Sequence, residues 1–398
     1  MSAKEKKALD NITRRTFIKK LGGGILVVSF AGLTWRMFDQ GVFSTGEGPA
    51  YEPWDTDKEI LESKPLALVS DAILASNPHN TQPWLFKVTD SSIELYADES
   101  RNLGAFDPLR REMFIGLGCA IENLMLSAYA HGYEPKLRYK PNSLEPACIA
   151  RIDLTQSEKD TSPLYKAIPQ RHTHRGEYNT DRLVPKTTLR DIENLIKDEK
   201  KVNVSWFSSS KEKQNIGDLI VEATEAIIAD EEMSAESNKW FKENWKDIQE
   251  ERDGITLDAQ GSSFFIRSMG KILPPMSHES NNQFWLSSTE KVHTATAATY
   301  GVISVRDAND NVQRARAGRA WQRIHLHGTN IGLGMQPLNQ LNEMADREKK
   351  LRIKEHFGNA MKEITGDSAW KGIFIFRCGY PLKETHPSPR RSVDDVIL

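Results

Sequence analysis

The 398-residue chain is short of cysteine, of net charge and of long apolar runs, and each shortage closes a class of explanations. Its three cysteines, Cys119, Cys148 and Cys378, stand far apart and form no C-x-x-C pair, which argues against zinc knuckles and dithiol redox motifs. Each sits in an apolar stretch and reads as a small core residue; spacing alone does not establish whether any two of them meet. Lys and Arg number 53 against 55 Asp and Glu, so no global field draws the chain to a polyanion, and no nucleic-acid partner is expected. The most apolar segment, Leu21 to Trp35, spans fifteen residues and is interrupted by Gly22, Gly23, Gly24 and Gly32. It falls short of the ~20 residues that a membrane-spanning helix needs. Two His-x-His pairs, His172/His174 and His325/His327, have no carboxylate or cysteine at ligand spacing, and the second lies in a predicted helix where residues two apart diverge. No metal site is expected.

What precedes the apolar run gives the N-terminus its reading. Lys4, Lys6, Lys7, Arg14, Arg15, Lys19 and Lys20 face only Glu5 and Asp10, a basic segment ahead of an apolar one. Thr13-Arg14-Arg15-Thr16-Phe17-Ile18-Lys19 resembles the twin-arginine export signal: paired arginines are followed by Phe17 and Lys19, then by a glycine-rich, moderately apolar stretch. The resemblance implies the twin-arginine export machinery as a partner and folding before export. The expected location is periplasmic, or anchored at the outer face of the inner membrane. Ala31-Gly32-Leu33 and Gly48-Pro49-Ala50 are both imperfect cleavage sites, so removal and retention as a membrane tether through residues 21–35 both stay open. Residues 1–50 therefore read as signal and connector.

Beyond the polar connector from Tyr51, the pattern predicts helices over Lys58 to Ser63 and Pro65 to Ala75, the latter stopped by Asn77-Pro78. A hairpin follows at Trp84 to Thr89 and Ile93 to Ala97, then a long helix from Arg111 to His131 closed by Gly132. Lys136 to Tyr139 and Cys148 to Leu154 read as strands. After a polar stretch at 156–161 the order recurs, with a helix over 187–197, a strand at Val202 to Phe207 and a second long helix. Gly118, Ala120, Leu126 and Gly132 align with Gly318, Ala320, Leu326 and Gly332 at an offset of two hundred residues. The chain thus divides into two α+β halves, 51–155 and 162–398, with a charged, aromatic-bearing insertion at about 211–290. The insertion reads as helical, with Trp240, Trp245, Phe264, Phe265 and Trp285 as its anchors, and as a lid or docking element.

Three segments carry candidate chemistry. Ala75 to Trp84 ends a helix and concentrates amide, imidazole and hydroxyl groups; Pro78 and Pro83 fix the backbone around Asn80 and Gln82, whose carboxamides suit a planar heteroaromatic. Arg171-His172-Thr173-His174-Arg175 sets two guanidinium groups around a hydroxyl, which suits a phosphate monoester. Ser388-Pro389-Arg390-Arg391 adds a stiffened basic pair that can complete the phosphate clamp.

These segments, together with Gly379-Tyr380-Pro381, resemble the nitroreductase superfamily from about residue 60 to the C-terminus. The wording of the His79-to-Trp84 loop, the mid-chain Arg-His-Thr-His-Arg and the duplicated halves are similar to the Acg family of FMN-binding oxidoreductases. The resemblance implies a nitroreductase-like α+β fold in which one chain mimics the usual homodimer: a pseudo-dimeric monomer with a helical, lid-like insertion. FMN would lie between the halves, its phosphate held by Arg171, Thr173, Arg175, Arg390 and Arg391, and Pro78, His79, Asn80 and Gln82 would stand near the isoalloxazine ring. The implied activity is FMN-dependent reduction of a nitro compound, quinone or similar acceptor, with small-molecule donor and acceptor as partners. The alternative is a flavin-binding or flavin-sequestering protein without turnover. Ser76-Asn77 departs from the family's more usual Pro-Ser, and the second half carries no copy of the Asn-Thr-Gln-Pro loop, so one flavin per chain is expected. No residue declares itself as catalytic acid or base; His79 is the nearest, and it reads better as a satisfied loop histidine.

Overall fold

A computed structural model describes residues 30–55 and 64–398. The twin-arginine motif and the helix expected over Lys58 to Ser63 lie outside the described residues. The remainder is α+β. In the first half an antiparallel sheet runs in the order Trp84–Thr89, Ser92–Ala97, Cys148–Gln156, Tyr133–Tyr139. Thr89 pairs with Ser92, so Asp90-Ser91 forms a two-residue hairpin turn. In the second half the antiparallel order is Val202–Phe207, Thr299–Val305, Lys371–Gly379, Gly334–Pro337. The chain's last residues return to the first sheet, where Leu398 N donates to Phe86 O over 2.8 Å and Ile397 bridges Phe86.

Each half contributes one long helix, Arg111–Ala130 and Asn311–Asn330. The first opens where the Asp107 carboxylate accepts from Glu112 N (3.2 Å) and Met113 N (2.9 Å); the second opens where Asp310 accepts from Val312 N at 2.9 Å. Gly132 and Gly332, at φ 82° and 74°, turn the chain out of both, a left-handed conformation that glycine adopts without cost. Arg111–Ala130 is long and apolar enough to cross a membrane, but its most apolar window is 83% buried, which makes it the core helix of the protein.

The two helices cross backbone to backbone. A Cβ on Gly118 would stand 2.0 Å from Ala315 O, and one on Gly318 would stand 1.9 Å from Ile115 O. The two contacts are reciprocal: residues 115 and 118 of one helix meet 315 and 318 of the other, the same offset of two hundred. Around the crossing Glu122 pairs with Arg319 (2.8 Å) and Arg323 (2.7 Å), and Gln322 Nε2 donates to Asn123 Oδ1 over 2.8 Å.

Two apolar cores flank this axis. The larger joins the first sheet to both helices through residues such as Trp84, Phe86, Leu117 and Trp321. The second packs Ile216, Ile220 and Ile227 of helix Ser210–Ala229 against Val302, Leu341 and Ile375. That helix, within the stretch expected as a lid-like insertion at about 211–290, is therefore packed into the core, and a roof of helices follows it from Glu231. The roof comprises helices Glu231–Asn238, Trp245–Glu251, Phe264–Ile272 and His278–Ser288. The cysteines are free and buried.

Replacing Gly118 or Gly318 by alanine drives a methyl into a carbonyl that cannot retreat. Each substitution is expected to cost at least ~1–3 kcal/mol of unfolding free energy, read as a lower midpoint in denaturant titration.

Candidate active site

The loop after helix Lys64–Ala72 is held in a conformation that its side chains alone would not choose. His79, Asn80 and Gln82 adopt φ of 45°, 56° and 51°, the left-handed region costly to L-residues without a compensating environment. The environment comes from three directions. Asn77 Oδ1 accepts from Gln82 N (2.8 Å) within the loop. From the second long helix, Trp321 Nε1 donates to Ser76 Oγ (3.1 Å) and Gln322 Oε1 accepts from Ser76 N (3.3 Å). From the C-terminal tail, Arg390 Nη1 donates to Asn80 Oδ1 (2.5 Å), while Asn80 Nδ2 donates to Pro389 O (2.8 Å). Gln82 Oε1 accepts from Arg391 N (2.8 Å), and its Nε2 donates to Arg252 O (2.8 Å). The carboxamides of Asn80 and Gln82 thus fasten the loop to tail and roof. Neither residue lines the cleft that the loop borders, whereas Pro78 and His79 do.

That cleft encloses about 1370 Å³ of empty space, its open mouth included, between the loop, both long helices, the roof and the second sheet. Ile115, Trp321 and Phe374 form part of its floor; Phe241, Met276 and Trp285 come from the roof. Asn281 Oδ1, Gln340 Oε1 and His293 Nδ1 belong to lining residues and are buried without a hydrogen-bond partner. Unpaired donors and acceptors between apolar walls are what a planar, polar-edged ligand would satisfy. His79 Nε2 lies 3.0 Å from Ser237 Oγ of the roof, and its ring meets Phe106 edge-on at 4.8 Å. Burial, aided by Arg175, pushes the His79 pKa down to about 3, so the imidazole is neutral at physiological pH.

Beside the cleft lies a concentration of buried positive charge. Arg171 Nη2 donates to Leu74 O (3.0 Å), Nη1 stands 3.4 Å from His325 Nδ1, and Nε has no partner. Arg390 donates to Asn80, Pro389 O and Ala75 O, again with Nε unpartnered. Arg175 lines the cleft and donates to Ala259 O at 3.1 Å. Trp54 packs against the group, 4.7 Å from the Arg390 guanidinium and 4.6 Å from the His172 ring. Burial drives the pKa of Arg171 and of Arg175 down to about 10 and that of His172 to about 3; Arg171 further lowers Arg390. Among the described residues no carboxylate pairs with Arg171, Arg175 or Arg390. Buried guanidinium groups without an anion are costly by several kcal/mol, and phosphate is the anion their planar donors fit best.

Of the residues that the sequence proposes for a phosphate clamp, Arg171, Arg175 and Arg390 come together. Thr173 lines the cleft, its carbonyl accepting from Thr385 Oγ1 at 3.3 Å. Arg391 stands apart: it binds the Gln82 and Asp395 carbonyls, and its charge is answered by Asp98, Asp253 and Asp395. Its role is to hold the tail against the loop.

The sequence gives no sign of the cleft's other charged wall. Glu112, in the first turn of one long helix, and Glu343, from helix Gln340–Leu351, both line it. Burial, then the neighbouring Glu112, holds the Glu343 carboxyl well above the carboxylate range, and Asp107 beneath them is raised to about 7 by burial and Glu112. Arg111 answers only part of this charge, pairing with Asp346 at 2.7 Å and Glu112 at 3.4 Å. Glutamates in helices usually face water, and only the tertiary fold brings these two together.

A raised folded-state pKa favours the protonated acid, so this pair weakens the fold as pH rises from about 4.5 toward the folded value. Glu343→Gln removes that loss. The variant's melting temperature relative to the parent is expected to rise between pH 5 and pH 8; a difference independent of pH would contradict the assignment.

Comparison with known proteins locates the resemblance. Over 137 residues the chain is 30% identical to "Putative NAD(P)H nitroreductase Rv3131" of Mycobacterium tuberculosis, covering 34% of this chain and 39% of that one. Over 87 residues it is 30% identical to "Putative NAD(P)H nitroreductase acg" of the same organism, covering 22% and 26%. This stretch resembles the Acg nitroreductases. The match thus spans about two fifths of the first relative's length. No protein-family model matches the chain. Among solved structures, the FMN-dependent nitroreductase NfnB of Mycobacterium smegmatis, in complex with NADPH, aligns at 14% identity and TM-score 0.35 over 58% of this chain and 96% of its own. A nitroreductase-like family protein of Bacillus cereus aligns at 13% identity and TM-score 0.32 over 60% and 96%.

Removing one buried guanidinium should separate structure from ligand. Inorganic phosphate is expected to raise the melting temperature of the ligand-free parent and to leave that of Arg171→Met unchanged.

Proposed function

We propose that the chain is an FMN-dependent oxidoreductase of the nitroreductase type, reducing a nitro compound, a quinone or a similar acceptor. The observation that carries the reading is the cluster of buried Arg171 and Arg390 with the half-buried, cleft-lining Arg175, without an acidic partner among the described residues, beside a cleft with unpaired polar edges. Bound FMN would supply reversible two-electron chemistry. The chain's residues would do the rest. Arg171 and Arg390, with Arg175 and Thr173, would hold the phosphate, and Pro78 and His79 would border the ring. Neutral His79 can exchange a hydrogen bond without bringing a competing charge, and burial beside Glu112 lets the Glu343 carboxyl hold its proton to higher pH than an ordinary glutamate. The roof would exclude bulk water through Phe241 and Trp285.

The names of the curated relatives favour a reduced nicotinamide as donor. The reciprocal crossing at Gly118 and Gly318 favours a pseudo-dimeric monomer, and the finding of one such cationic cluster among the described residues favours one flavin per chain. The alternative, a flavin store without turnover, draws support from the roof's contact with the loop between Ser237 and His79. Delivery by the twin-arginine machinery to the periplasm or the outer face of the inner membrane belongs to the same proposal, since a non-covalent cofactor clamped between two halves is best inserted before export.

The purified protein is expected to be yellow and to oxidise NADH or NADPH when supplied with a quinone or nitroarene. A protein that binds flavin but sustains no turnover with any such pair supports the store, and one that binds no flavin rejects both readings. Replacing Arg14 and Arg15 together by lysine should leave the flavoprotein in the cytoplasm, scored by cell fractionation.

A further inference from the structure

Helix Phe264–Ile272 is turned inside out relative to an ordinary surface helix. Its charged residues point inward: Arg267 Nη1 lies 2.9 Å and Lys271 Nζ 2.6 Å from the buried Asp258 carboxylate. Lys271 also donates to Gly41 O at 2.9 Å, and Arg267 to Thr45 Oγ1 at 3.2 Å. Its apolar residues point outward, with Phe264, Phe265 and Ile266 exposed by 55%, 66% and 50%. Beside it packs helix Phe30–Asp39, fastened where Arg36 Nε donates to Ile272 O at 2.6 Å. That helix exposes Trp35 and Phe38 by 66% each, and Phe43 follows with its ring 5.3 Å from that of Phe38. Every large exposed aromatic among the described residues lies in these segments or in the adjoining roof helix, at Phe284. Scattered apolar residues on a surface need no explanation, but aromatics gathered on adjacent helices do.

We infer that this face docks on a lipid bilayer, lying in its interface rather than spanning it. The sequence leading into the patch identifies the occupant. Leu21 to Trp35 is an apolar run too short to span, seven basic residues stand within the twenty positions before it, and its last residues form the helix that carries Trp35. Aromatics that sit at the headgroup level, with basic residues that meet anionic lipids, are the composition of an interfacial anchor. Inward-turned Arg267 and Lys271 then have a rationale: their charges stabilise the helix from beneath while its outer face is free for acyl chains. The inference stands apart from the flavin reading, and it concerns the chain before export, while residues 1–20 and the exposed face lie on the same side of the membrane.

The three native cysteines are buried, so a single introduced thiol takes a label selectively. In the full chain, Phe265→Cys carrying a polarity-sensitive fluorophore is mixed with vesicles of phosphatidylglycerol and phosphatidylethanolamine, some bearing nitroxide lipids. The label at 265 is expected to shift to the blue and to be quenched by the nitroxide, while one at Leu144→Cys, in the turn before strand Cys148–Gln156, stays in water. The triple change of Phe264, Phe265 and Ile266 to serine should lower vesicle co-sedimentation by roughly tenfold. Bound vesicles with no shift at 265, or equal shifts at both positions, would show that the leading segment alone binds and would overturn the proposal. So would an absence of binding, or a lipid-independent shift that grows with protein concentration, which would assign the face to a second copy.

Discussion

The architecture turns on the contact between the peptide backbones of the two long helices. Close packing at Gly118 and Gly318 leaves no room for a β-carbon on either side, so the helices are set by main-chain contact and by the ion pairs of Glu122 with Arg319 and Arg323. Once that distance is set, Trp321 and Gln322 of the second half reach Ser76 of the first and hold the loop that borders the cleft. The C-terminal tail then closes the arrangement from the other direction, donating through Arg390 and Arg391 to the same loop. The left-handed residues His79, Asn80 and Gln82 persist because helix, tail and roof all constrain them.

Around this framework the charges are distributed unevenly. Arg171 and Arg390 are buried with donors to spare beside the half-buried Arg175, whereas Glu343, Glu112 and Asp107 crowd carboxyl groups together until some hold their protons. Neither arrangement benefits the empty fold, because each removes ionisable groups from water without full compensation. Imbalance of this kind concentrates where a ligand restores the balance, which is why the cleft, and no other place among the described residues, carries the functional proposal. Arg377 makes the contrast: equally buried, it has acceptors in Gln336, Gly176, Val292, His293 and Thr296, and it serves structure alone.

Elements with strong local signals were legible in the sequence. The Asp90-Ser91 hairpin and the glycine-terminated helices depend on residues close in the chain, and the structure has them where pattern predicts, with ends shifted by a few positions. The arginines at 171, 175 and 390 were legible as candidates because their spacing and stiff flanks are local facts. What Asn80 and Gln82 do was not, since their partners lie about three hundred residues away in the tail. Nor was the division of Arg390 from Arg391, adjacent residues that face different surroundings. The core packing of Ser210–Ala229 was not legible either, because the helix is charged on its outer face and only a narrow stripe, Ile216, Ile220, Ala223 and Ile227, is buried.

The central claim is that the buried arginines are built for the phosphate of a flavin mononucleotide. Titrating the flavin-free protein with FMN and with riboflavin, which differ by that phosphate, tests it most directly. FMN is expected to bind at least about a hundredfold more tightly, as charge-assisted bonds to two or three buried guanidinium groups would require. Equal affinities for the two flavins would contradict the account.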